Sequence, residues 1–198
     1  GVVSPGAGQA VEVQWRSSTT NVRTAHERTF LLLKEATTTI GNGTDPASTT
    51  IAPSGPATMV DAFTLVTSSG TDSVTAVTVT LAAGTSGGLS LVEITSDAGS
   101  TVYGSVANPA TDTPSITLTT PISVTTTATQ YKIRITPKTH ANMLAPPGSS
   151  YAVTARISAW TGTNTQAGTD SAGTTVTIDN LSPANVTGAS ATAGNAPP

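Results

Sequence analysis

No cysteine occurs anywhere in the 198 residues, which excludes disulfides, iron–sulfur clusters and thiolate metal sites. Charge is scarce as well. Asp, Glu, Lys and Arg make up 10% of the chain, against roughly 25% in an ordinary soluble domain. Eight basic residues, a net charge of −3 and no interleaving of basic with aromatic side chains argue against nucleic acid as a partner. Aromatics are only 4% and the apolar fraction is 36%, so any core has to be thin and built from Val, Ile, Leu and Ala. No apolar run approaches the ~18 residues of a membrane-spanning helix. The densest, Phe30-Leu31-Leu32-Leu33, is strand-sized. The two histidines, His26 and His140, stand near no G-x-S-x-G turn or other nucleophile signature. Neither catalysis nor a cofactor is expected.

Thr, Ala, Ser and Gly fill the space that charge leaves. Thr is β-branched, which suits a pleated, half-exposed strand surface and disfavours helix. Period-2 patterns dominate accordingly. Tyr131, Ile133 and Ile135 alternate with Lys132 and Arg134; Val77, Val79 and Leu81 alternate with Thr78 and Thr80. Phe63 with Leu65, Leu89 with Leu91, Ile116 with Leu118, and Val176 with Ile178 continue the pattern. Tyr151, Val153, Ala155 and Ile157 predict one long strand running towards Trp160. Turn clusters separate these runs at 68–70, 84–88, 97–99, 108–109 and 146–148. Short strands at this spacing predict an all-β fold, an antiparallel immunoglobulin-like β-sandwich with an extended N-terminal segment. The window from Thr24 to Glu35 would tolerate a helix, but its apolar residues are consecutive, so a buried strand is the better reading.

Three regions follow: an extended segment over 1–36, the sandwich over 37–180, and a tail of small residues over 181–198. The chain opens on Gly1 rather than Met, which points to a processed form or a fragment. Basic residues are missing between Ala36 and Gln130, where Asp45, Asp61, Asp72, Glu93, Asp97 and Asp112 lie. Arg16, Arg23, Arg28 and Lys34 precede that stretch, and Lys132, Arg134, Lys138 and Arg156 follow it. Such asymmetry can orient one copy against another.

The stretch 40–58, IGNGTDPASTTIAPSGPAT, and the stretches DAFTLVTSSGTDSVTAVTVTLAAG, LVEITSDAGSTVYGSV and TQYKIRITPKTH resemble a repeat module of large bacterial surface proteins with fibronectin type III-like and other immunoglobulin-like domains. The end, TIDNLSPANVTGASATAGN, resembles the junction where a following fibronectin-type domain begins. A lone module flanked by strand-like segments is similar in architecture to bacterial filament subunits that assemble by donor-strand exchange. The resemblance implies an extracellular or cell-surface location and neighbouring copies of the chain as partners.

The donor is expected in the N-terminal segment. Val11, Val13 and Trp15 alternate as a donor strand requires, and Phe30, Leu31, Leu32 and Leu33 supply apolar surface to anchor it. Alternatives are a passive spacer and an adhesive or carbohydrate-binding module, for which Trp160 is the one reasonable aromatic. Glycans are also conceivable on the chain itself: Asn42, Asn180 and Asn185 head N-x-S/T triplets. A calcium site would have to use loop carboxylates such as Asp45, Asp72, Asp97 or Asp112, although an Asp that bonds its own turn is the commoner arrangement. For an intramolecular isopeptide bond only Lys34 is worth a check.

Overall fold

The computed structural model describes residues 35–143 and 149–181. The donor candidates Val11, Val13, Trp15 and Phe30 to Leu33 lie outside the described residues, as do His26, Lys34 and Asn185. Twelve strands run from Thr37 to Ile178. They are β1 (Thr37–Asn42), β2 (Thr49–Ile51), β3 (Thr58–Thr67), β4 (Asp72–Leu81), β5 (Leu89–Ser96) and β6 (Val102–Ala107), then β7 (Ser115–Val124), β8 (Thr129–Pro137), β9 (Tyr151–Val153), β10 (Ala155–Thr161), β11 (Thr165–Gly168) and β12 (Val176–Ile178). The remaining regular structure is two short 3-10 turns, Ser86–Gly88 and His140–Asn142. The described residues are therefore all-β.

The strands form a six-stranded sheet, ordered β11-β1-β3-β8-β5-β6, and two three-stranded sheets, β10-β4-β7 and β2-β12-β9. One apolar core spans all three. The alternating residues Tyr131, Ile133, Ile135, Val77, Val79, Leu81, Phe63, Leu65, Ile116, Leu118, Val176 and Ile178 are all buried in it. Three aromatics meet at one place, where Tyr131 stacks on Phe63 at 5.7 Å and meets Tyr103 edge-on at 5.6 Å. The solvent sides of the strands are largely Thr and Ser, so few charges are needed to keep the alternation.

Irregularities break the simple period, and two of them change what the alternation predicts. Tyr151 to Ile157 alternates without interruption, yet the chain changes sheet at Thr154: β9 pairs with β12, and β10 with β4. The expected long strand is thus two. In β5 the register shifts between Leu89 and Leu91, so Leu89, Val92 and Ile94 are buried while Leu91 is only half-buried. A bulge adds one residue to a strand and resets its phase.

The first and last described segments travel together. β1 runs parallel to β11, with Thr37 opposite Thr165 and Ile40 opposite Gly168. Further along, β2 runs parallel to β12, with Thr49 opposite Val176 and Ile51 opposite Ile178. Between these pairings each segment crosses from the six-stranded sheet to the small one, over 43–48 and 169–175. The described chain therefore enters at one end of the domain, near Thr37, and leaves at the opposite end, beyond Ile178.

Candidate functional site

The crossing of these two segments is built around carboxylates. Asp61 lies on β3 directly opposite Ile133 of β8, and cross-strand partners share a face, so its side chain points to the core side. A register shift between Met59 and Asp61 leaves Val60 as the extra residue and brings Asp61 into phase with Phe63 and Leu65. Asp61 is 0% exposed, and neither carboxyl oxygen has a hydrogen-bond partner among ionised neighbours. Asp170, in the crossing after β11, is 4% exposed. Its Oδ2 accepts the Ile157 N–H of β10 at 2.7 Å, while its Oδ1 is unpartnered. Asp45, in the crossing after β1, accepts the Ala62 N–H at 3.0 Å. A Cβ on Gly173 would fall on the Asp45 carboxylate, so the two crossings touch at this point.

These groups repel one another. Burial, followed by the negative charges of Asp170 and Asp45, pushes the Asp61 carboxyl up to about 9. Burial also raises Asp170, against the opposing bonds from Ile157, Asp61 and Ser171. Two ionised carboxylates cannot bond each other, but a protonated Asp61 can donate to either neighbour. Among the described residues, no group of three or more His, Cys, Asp or Glu is arranged to hold a metal ion.

A second buried carboxylate sits nearer the entry end, and it is satisfied. Asp72, 3% exposed, accepts the Thr38 hydroxyl at 2.6 Å, the Ser73 N–H at 2.8 Å, and both the N–H and the hydroxyl of Thr163 at 2.7 Å. Asn164 extends the network to the hydroxyls of Thr38 and Thr67. Burial alone would raise Asp72, but these donors outweigh it and hold the carboxyl below its ordinary value. The hub joins β1, β3, β4 and the turn between β10 and β11.

The four aspartates considered for calcium therefore have other work, and bonding to their own turns is a minor part of it. Asp112 accepts the N–H groups of Gly84 and Ser86 in the turn after β4. Asp97 accepts from Gln130 and pairs with Lys132 at 3.0 Å, while Glu93 pairs with Arg134 at 2.8 Å. Much of the acidic stretch is thus bonded internally.

Of the glycosylation candidates, Asn42 is exposed and its Oδ1 accepts the Ser171 N–H and hydroxyl. Asn180 is 1% exposed and pairs with His140 Nδ1, so its amide is reachable only before the domain folds. Trp160 is half-buried against the core. Two shallow grooves of about 410 and 550 Å³ share Asn108 and Lys138 at the exit end. Lys138 there donates to the Gly87 carbonyl.

The aspartate cluster was missed in the sequence. The alternation of Phe63 and Leu65, carried back two residues, lands on Asp61, and that phase is the signal that could have found it. No protein-family model matches the chain, and no curated protein matches it either.

Proposed function

We propose that the domain is an immunoglobulin-like β-sandwich and a non-catalytic structural subunit of an extracellular bacterial filament or surface fibre, joining head to tail by strand exchange with neighbouring copies. One observation carries the reading: the first and last described segments pair in parallel twice, β1 with β11 and β2 with β12, so the described chain enters and leaves the domain at opposite ends. A unit with that path extends a fibre by its own length. Force applied through both ends acts along the parallel ladders and loads their hydrogen bonds together. The Thr-rich outer faces and the internal bonding of Asp45, Asp72, Asp97 and Asp112 fit a part built to keep its shape.

The same path also suits a passive spacer within a longer surface protein, and one experiment separates the two. Negative-stain microscopy of the purified full chain at rising concentration is expected to show fibres with one domain per repeat. Isolated particles at every concentration would overturn self-assembly and leave the spacer.

A further inference from the structure

We propose that the Asp61 carboxyl carries a proton in the folded protein, and that this proton, donated to the carboxylate of Asp170 or of Asp45, closes the joint between the first and last described segments, so that raising the pH loosens it. The inference concerns the fold itself and holds whether or not copies assemble.

The geometry leaves few other ways to accommodate the charge. Asp61 is completely buried with no donor on either oxygen, and an isolated ionised carboxylate in such a place is too costly to persist. The groups facing it are both acidic, Asp45 from the first crossing and Asp170 from the second. β1 and β12 contribute no titratable residue. On β8 the residue opposite is Ile133; Lys132 and Arg134 point to the other face and pair with Asp97 and Glu93. Arg156 of β10 is exposed. No described cation turns towards the cluster, and the three carboxylates are not arranged as a metal cage.

A proton on Asp61 resolves this. It removes one charge and supplies a donor to the unpartnered Oδ1 of Asp170 or to Asp45. Each acceptor is already tied elsewhere, Asp170 to Ile157 of β10 and Asp45 to Ala62 of β3. Donated to Asp170, the proton links β3 to the second crossing and β10, while the Ala62 N–H already ties the first crossing to β3. Loss of the proton to solvent base leaves three negative charges in contact, and repulsion pushes the crossings apart.

The direction with pH follows from linkage. The folded-state value lies near 9, above the ordinary 3.8. The contribution is complete below the unfolded value and is lost as pH rises through the folded one. Between these limits the folding constant falls by up to about tenfold per pH unit from this site.

The test compares the full wild-type chain with Asp61→Asn, which keeps the shape and a donor but cannot ionise, by urea unfolding between pH 4 and pH 10. The wild type should lose stability relative to the variant as pH rises, with the ratio of folding constants widening towards tenfold per unit. Parallel profiles would overturn the proposal. Should the variant fail to fold, carbon NMR titration of the wild type decides: an Asp61 carboxyl still protonated at pH 7 supports the clamp, and an ionised one ends it. Calcium chloride serves as the competing arm. If it raises the wild-type melting temperature at pH 7 but not that of Asp61→Asn, the carboxylates hold a cation and the proton reading is wrong.

Discussion

Asp72 and Asp61 are equally hidden from water, yet their surroundings drive them in opposite directions. Asp72 receives four hydrogen bonds from Thr38, Ser73 and Thr163, so ionisation is stabilised and the carboxylate organises β1, β4 and the turn between β10 and β11. Asp61 receives none and faces two other carboxylates, so ionisation is penalised. Burial therefore says little about a charged group until its donors are named. The first site is an anchor for a charge; the second tolerates its acid only in the neutral form.

Removing the anchor should have the largest effect. Asp72→Ala removes the acceptor of two backbone N–H groups and two hydroxyls, the buried one on Thr38 and the part-buried ones on Ser73 and Thr163, and a buried group left unsatisfied costs about 1–3 kcal/mol. Partial rescue by water brings the expected loss to about 3–5 kcal/mol, measured by urea unfolding at pH 7. Because the folded-state value of Asp72 is lowered, the advantage of its charge exists above the ordinary 3.8 and fades as pH falls through the folded value. The penalty of Asp72→Ala should accordingly shrink in acid.

Amide substitution sharpens the comparison with a change of sign. Asp72→Asn replaces an accepting oxygen with a donor amid donors, and a loss of about 1–3 kcal/mol is expected at pH 7. Asp61→Asn replaces a group that must hold a proton with one that is always neutral, so stability at pH 7 should rise. If both variants are destabilised alike, the contrast between the sites is wrong. Thermal melting of the two variants beside the wild type provides the measurement.

Much of this fold was legible because its core residues alternate. Tyr131 to Ile135 and Val77 to Leu81 need only a period of two and a solvent side made of Thr, Lys or Arg to declare their faces. The change of sheet at Thr154 was not legible, since Tyr151 to Ile157 keeps one phase across it and only the pairing partners differ. The bulge at Val60 was hidden for the related reason that an inserted residue shows only against its partner strand. For Asp61 the phase was visible, but its meaning depended on Asp170, which lies far along the chain in a loop without period. Parallel pairing of the first and last described segments is likewise a long-range property that no local pattern encodes.

The smallest expected effects concern the glycines beside the two sites. Gly162 lies against Asp72, where an added Cβ would stand 2.6 Å from Oδ2 and 3.0 Å from Oδ1. Gly173 lies against Asp45, where an added Cβ would overlap Oδ2. Steric overlap alone ranks Gly173→Ala as the worse change. The hydrogen bonds argue otherwise. Asp72 is pinned by four donors and cannot retreat without breaking them, so Gly162→Ala should cost about 1–3 kcal/mol, the usual range for overpacking. Asp45 is held by the Ala62 N–H, its neighbours repel it, and Gly173 is exposed, so the carboxylate can swing towards solvent. Its departure also removes one of the charges acting on Asp61. Gly173→Ala should therefore cost under about 1 kcal/mol and weaken the pH dependence of stability. Unfolding of both variants at pH 6 and pH 9 tests the ranking: a greater loss for Gly173→Ala at pH 9 would mean that Asp45 is a rigid part of the joint, contrary to the picture of one pinned carboxylate and one yielding cluster.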